Sequence, residues 1–364
     1  MSATTGIAWC DSTLNFWAGC TKVSPACDHC YAERDSARFK SAEWGTGKPR
    51  KQMAEATRAQ ADKWNKVQFY ECSACGRRGA GLDRIGESTF CPECGTHGTS
   101  APARRRVFVN SWSDWLDNEV PIEWLVDLLD RIRRCPNIDF LLLTKRIGNW
   151  RARVDAAIEC LDDADPADCI VDRDALRTWL ESWHAGEASA NVWLGATVIN
   201  QAEADRDVPK LLAVPARVRF LSIEPMLGAI DLSNCFSANA LHEIDGGPRI
   251  DWIIAGGESG PHARPMHPDW VRSLRDQCEA AGVAFMMKQW GEFAPVPRNE
   301  QLGKPAMVWV GDTMIAADGR IQVLDETLGC GIESNAAPMR RIGKKAAGRL
   351  LDGVEHNQFP AVTA

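Results

Sequence analysis

Long apolar runs are missing from this chain of 364 residues. None reaches the eighteen or so residues that a transmembrane helix needs, so no spanning helix is expected. The first residues, MSATTGIAWCDS, have neither the basic start nor the apolar centre of a secretory signal, and a cytoplasmic setting is expected. Net positive charge is missing too: the formal charge is −7, which argues against a generic polyanion binder. Basic clusters do occur, GKPRK at 47–51, RRR at 104–106 and RRIGKKAAGR at 340–349. Each is open to two readings, a solvated face or a phosphate contact. There are no internal repeats and no low-complexity tracts.

What is present is ample core material, with 45% hydrophobic residues. Six short apolar runs recur along the chain: RVFVNS (106–111), DFLLLTK (139–145), NVWLGATV (191–198), VRFLSIEP (218–225), DWIIAGGE (251–258) and VAFMMKQW (283–290). A seventh, LNFWAGC (14–20), precedes them. Runs of this kind, bounded by turn residues, fit parallel strands buried on both faces. Amphipathic stretches separate them, among them IEWLVDLLDRIRR (122–134) and PDWVRSLRDQCEAAG (268–282). Alternating strands and helices predict an α/β fold, a partial (β/α) barrel of the TIM type. The runs end in polar or small residues: Ser111, Ser113, Asp114, Thr144, Lys145, Thr197, Glu224 and Glu258. Such barrels place their chemistry at those carboxyl ends. The expected organisation is a barrel over 1–70 and 104–292, an insertion over 71–103, and a C-terminal extension over 293–364 packing on the barrel.

Fourteen cysteines are the most telling feature. In a reducing compartment, clustered cysteines point to metal rather than to disulfides. The insertion carries two C-x2-C knuckles, Cys72 with Cys75 and Cys91 with Cys94, with fifteen residues between them. Four thiolates suit a tetrahedral structural zinc, so a zinc ribbon is expected. It is open whether the ribbon contacts nucleic acid or protein, or only staples the insertion. The other cluster, GCTKVSPACDHCYAE at 19–33, holds three cysteines, Cys20, Cys27 and Cys30, with no fourth at matching spacing. Three thiolates can hold a four-iron cluster and leave one iron open, whereas electron-transfer clusters take four. The alternative is a second zinc, with His29 as fourth ligand.

A three-cysteine loop after a first strand, followed by alternating strands and helices, resembles the radical S-adenosylmethionine superfamily. A closer resemblance is to a phage- and prophage-encoded family of three-cysteine-motif proteins with no assigned function. It is carried by GCTKVSPACDHCYAE, FVNSWSDW, LLTKR, VWLGATV, VRFLSIEPMLGAIDL, DWIIAGGESGPHARPMHPDWVRSLRDQCEAAGV, KQWGE and GKKAAGRLLDG. SWSD followed by LLTK is also similar to strand endings of the spore-photoproduct-lyase-like branch, which acts on thymine in DNA. The resemblance implies a [4Fe–4S] cluster on Cys20, Cys27 and Cys30, with S-adenosylmethionine at the strand ends. Ser111, Ser113 and Asp114 would serve its methionine amino end, Lys145 beside Thr144 its carboxylate, and Thr197 and Glu224 the ribose or the substrate. Glu258, in AGGESG (255–260), would accept from an amine, and Lys288, Gln289 and Trp290 would touch substrate.

The expectation is therefore a radical enzyme that rearranges or modifies a nucleobase, a thymine or modified thymine in phage DNA or its nucleotide. A flavodoxin or ferredoxin would supply electrons, and if the substrate is polymeric Arg104–Arg106 would contact its phosphates. Two rivals stay open: a zinc-stapled module that binds nucleic acid or protein without radical chemistry, and a radical enzyme acting on a peptide or small metabolite.

Overall fold

The computed structural model describes residues 5–81, 83–85, 88–163, 172–236, 248–296, 298–299, 304–305, 312–324 and 336–361. The chain is mixed α/β and is built on a seven-stranded sheet: β1 (Ser12–Leu14), β2 (Arg105–Val109), β3 (Ile138–Thr144), β4 (Val192–Thr197), β5 (Val218–Ile223), β6 (Trp252–Gly256) and β7 (Ala284–Gln289). Strand order in the sheet follows chain order from β1 to β7. The pairs β1–β2, β2–β3, β5–β6 and β6–β7 are parallel. All six apolar runs become strands, and β2, β4, β5 and β6 are buried along their whole length. Among the described residues no helix is long and apolar enough to cross a membrane.

The seventh run behaves differently. β1 stops at Leu14, because the Asn110 side chain takes the Phe16 amide at 2.8 Å while Asn15 turns to the Trp112 amide at 3.0 Å. Trp17–Ala18 then pairs antiparallel with Lys51–Gln52 instead of continuing the strand expected over 14–20.

The chain divides into two compact units, with the division inside β4 between Leu194 and Gly195. The first unit comprises residues 1–21, 32–194 and 214–217. Its longer helices are α1 (Tyr31–Phe39), α2 (Ile122–Arg134), α3 (Trp150–Asp163) and α4 (Arg173–His184). In α2, Leu125, Val126, Leu128, Leu129 and Ile132 are buried at helical spacing. Arg131, Arg133 and Arg134 fill its last turn, where cations complement the helix dipole. Residues 164–171, between α3 and α4, lie outside the described residues. The cysteine-rich insertion also belongs to this unit. Phe69–Cys72 pairs with both Arg78–Ala80 and Ser100–Ala103, and Asp83–Ile85 pairs with Ser88–Phe90.

Of the three arginines expected to contact phosphates, Arg105 and Arg106 are buried. Arg105 is 9% exposed; it donates to Ser12 Oγ at 2.9 Å and lies over the Trp64 and Phe69 rings. Arg106 is 8% exposed and lies over Trp193, and burial pulls its pKa down to about 10. Both lie at the start of a strand buried along its length, so their stems pack and their charges meet rings and carboxylates instead of solvent. Arg104 is half-buried; it donates to the Ala190 carbonyl at 2.5 Å and lies 3.6 Å from Asp139 Oδ1.

The second unit comprises residues 22–31, 195–213 and 218–364. It contains α5 (Gln201–Leu212), whose Asn200 cap accepts from the Glu203 amide at 3.0 Å, and α6 (Pro268–Ala280), which begins with proline. A four-stranded antiparallel sheet follows, in the order Phe293–Pro295, Ala337–Arg341, Thr313–Ile315, Ile321–Val323. The last described segment runs beside β7: the Met287 amide donates to the His356 carbonyl at 3.0 Å, and the Gln358 amide donates to Phe285 at 3.2 Å.

One glycine of this unit is fixed by packing. A Cβ on Gly195 would sit 2.3 Å from the Phe220 ring, which is itself fully buried. Gly195→Ala is expected to cost about 1–3 kcal/mol by overpacking, seen as a lowered melting temperature. Phe220→Leu in the same chain should recover part of the loss; a melting temperature unchanged by Gly195→Ala alone would contradict this account.

Candidate functional site

The four cysteines of the insertion converge. The sulfurs of Cys72, Cys75, Cys91 and Cys94 all lie within 4.8 Å of one another. Cys72 and Cys94 are 3.9 Å apart, and Cys75 and Cys91 are 3.7 Å apart. A tetrahedron with Zn–S bonds of about 2.3 Å has edges of about 3.8 Å, so the thiols fit a zinc ion as they stand. The knuckles are built alike: the Gly76 amide returns to Cys72 and the Gly95 amide to Cys91, each at 2.8 Å. Both glycines have left-handed φ, +71° and +69°, where a side chain would be strained. Cys72 and Cys91 are buried, whereas Cys75 and Cys94 face solvent. Thr99 Oγ1 lies 3.1 Å from Cys72 Sγ and holds that thiol down, to about 6. Cys94 is lowered as well, chiefly by the Thr96 hydroxyl.

In the first unit the predicted strand-end residues gather around Asp114. Its carboxylate accepts from Thr144 Oγ1 at 2.7 Å, the Lys145 amide at 2.9 Å, the Leu116 amide at 3.0 Å and Arg146 Nη1 at 3.0 Å. Ser111 meets Asn15, and Ser113 donates to the Trp17 carbonyl at 3.1 Å. Arg146, absent from the sequence-based site, is the link to the three-cysteine loop: Nη1 lies 3.4 Å from Cys20 Sγ, and Nη2 donates to the Thr21 carbonyl at 2.7 Å. Burial, then the charge of Asp114, pushes the Cys20 thiol up to about 11 against the pull of Arg146. Close by, a fully buried Arg50 pairs with Asp117 at 2.8 Å and donates to Thr21 Oγ1 at 2.7 Å.

In the second unit, Cys27 closes a 3-10 turn, Pro25–Cys27, capped by Ser24. The Cys30 amide donates back to Cys27 at 3.4 Å, just ahead of α1. Arg264 ties this segment down by reaching Asp28 at 3.2 Å, the Pro25 carbonyl at 2.9 Å and Glu258 at 2.7 Å. His29 Nδ1 lies 3.1 Å from Glu258 Oε2. Burial works against charge on Glu258, but Arg264, through side chain and backbone, outweighs it and holds the carboxyl below its usual range. Glu224 pairs with Lys288 at 2.5 Å. Gln289 donates to Ser259 Oγ at 2.9 Å, and the buried Trp290 donates to the Leu350 carbonyl at 2.8 Å. Thr197 Oγ1 is buried without a hydrogen-bond partner among the described residues.

A family model described as protein of unknown function (DUF5131) matches residues 4–360. The chain belongs to that family. The DUF5131 match covers both cysteine sets and every strand-end residue named above. No curated protein and no solved structure matches the chain.

Sequence reasoning reached Thr144 and Lys145 but passed over Arg146, the next residue. Nor did it reach Arg50 or Arg264: Asp117 lies 67 residues from Arg50, and Arg264, six residues after Glu258, also reaches Asp28, 236 residues away. One available signal for Arg146 was its place directly after two strand-end polar residues, in LLTKR. For the insertion, a bound zinc is expected to be lost with Cys91→Ser. Thr99→Val should weaken zinc about tenfold, the low end for removing a group that hydrogen-bonds a ligand. Competition with a chromophoric chelator measures both, and wild-type zinc retention in Cys91→Ser would remove the four-cysteine site.

Proposed function

We propose that this protein is a radical S-adenosylmethionine enzyme acting on a nucleobase, and that the sheet is part of a (β/α) barrel of that type. The observation that carries the reading is the loop between β1 and α1, which presents Cys20, Cys27 and Cys30 with no fourth cysteine at matching spacing. Three thiols with no fourth fit a [4Fe–4S] cluster with an open iron. When bound, that cluster would supply the electron that cleaves S-adenosylmethionine to a 5′-deoxyadenosyl radical. What this chain's own residues contribute is support: Arg146 and Thr21 brace Cys20, and Arg264 braces the Pro25–Asp28 segment on Glu258. The unpartnered Thr197 hydroxyl fits a role as ligand donor, and the Glu224–Lys288 pair offers a charged contact at a neighbouring strand end.

A thymine or modified thymine, in DNA or as its nucleotide, remains the substrate favoured by the resemblance, and the four-cysteine ribbon is compatible with a polymeric partner. A base in duplex would have to be extruded to be reached. Burial of Arg105 and Arg106 specifically favours a second reading, the same chemistry on a peptide or small metabolite, because it removes part of the basic surface. The reducing partner would be a flavodoxin or ferredoxin in the cytoplasm.

The test is anaerobic reconstitution of the wild type and of a Cys20→Ala, Cys27→Ala, Cys30→Ala triple variant, with metal analysis and detection of 5′-deoxyadenosine. About four irons and one zinc per chain are expected, with iron and 5′-deoxyadenosine lost but zinc kept in the variant. Two zincs without iron would replace the enzyme by a zinc-stapled binding module.

A further inference from the structure

Arg146 is placed to do more than neutralise Asp114. We infer that it is a positioning residue for the cluster, donating an N–H to the Cys20 sulfur and thereby raising the potential at which the cluster accepts an electron. The inference rests on the cluster reading of Cys20, Cys27 and Cys30. Its geometric basis lies wholly within the first unit.

The guanidinium has three acceptors: Cys20 Sγ at 3.4 Å and Asp114 Oδ2 at 3.0 Å from Nη1, and the Thr21 carbonyl at 2.7 Å from Nη2. Three acceptors fix a planar fork in position and orientation. The backbone is fixed too, since the Arg146 amide donates to Thr144 Oγ1 at 2.8 Å and that hydroxyl donates to Asp114. Arg146 is 9% exposed, so water competes little for its donors. The charges around Cys20 come from several elements: Asp114 and Arg146 at strand ends, and Asp117 held by Arg50. Arg50 also reaches Glu119 at 3.4 Å, so the two cations face three carboxylates. What Arg146 alone adds at the sulfur is directional, an N–H aimed at Cys20.

Such hydrogen bonds to cluster sulfurs are one of the levers on reduction potential. Reduction adds one electron from the external reductant and makes the sulfurs more negative, with no bond made or broken on the protein. A donor to sulfur stabilises the reduced state more than the oxidised one. A replacement that keeps charge balance but removes the fork should therefore leave the cluster harder to reduce.

The experiment is a potentiometric titration followed by electron paramagnetic resonance, on reconstituted protein without S-adenosylmethionine. Wild type is compared with Arg146→Lys and with the paired change Arg146→Met, Asp114→Asn, which keeps the net charge. Iron and zinc contents report loading and folding of each protein. At the poise where wild type is half reduced, both variants are expected to show a reduced-to-oxidised ratio at least tenfold lower, about 59 mV for a one-electron couple. Should the paired variant lose iron, Arg146→Lys, which retains a cation opposite Asp114, decides alone. Iron-loaded variants that titrate with wild type would overturn the role of Arg146 while leaving the cluster intact. Wild type that takes up no iron would remove the cluster reading itself, and this inference with it.

Discussion

The first unit depends on a single buried carboxylate. Asp114 follows β2, yet its acceptors are filled by Thr144 and Lys145 at the end of β3 and by Arg146 just beyond it. Two neighbouring strand ends are thereby locked through one side chain. Burying that charge is tolerable only because four donors reach it, one of them cationic. Were any donor missing, the carboxylate would face a low-dielectric interior without compensation. The same constraint fixes where Arg146 can point, and hence what surrounds Cys20. Local geometry near the three-cysteine loop is in this sense a by-product of satisfying Asp114.

The insertion is joined to the rest of its unit by a comparable device. Arg78, on the strand leaving the first knuckle, reaches Asp11 beside β1 at 3.1 Å, the Glu71 carboxylate and the Arg104 carbonyl at 2.7 Å. At its base this small ribbon is thus held by charge, and its four sulfurs are spaced to take a metal. Ion pairs, and a metal once bound, would do here what apolar burial does in α2, because a module this short buries little surface.

Much of the fold was legible because apolar continuity is a local signal. Every run from RVFVNS to VAFMMKQW became a strand within about two residues, and IEWLVDLLDRIRR became α2 residue for residue. LNFWAGC misled because Asn15 and Asn110, two polar residues far apart in sequence, exchange hydrogen bonds with the opposite backbones and end β1 early. The Cys72–Cys94 set was readable from spacing alone, since a knuckle is a local structure. The arginines were not. A run such as RRR looks solvated until its rings and carboxylates, Trp64, Phe69, Trp193 and Ser12 among the contacts, are brought in from elsewhere. Arg146 was not legible for the same reason, since its buried partner Asp114 lies 32 residues away and is brought to it only by tertiary structure.

The segment beside β7 has a consequence for how the chain is made. Its residues 356–358 bond to the free side of β7, Gln358 also receives the Trp252 indole N–H at 2.9 Å, and Phe359 packs on that indole. β7 is complete about seventy residues before the strip that covers it has been translated. During that interval the nascent chain carries a bare strand edge, the kind of template on which neighbouring polypeptides add. At elongation rates of about 5–20 residues per second the exposure lasts several seconds. A ribosome stalled within that interval would therefore leave this strand edge in the open.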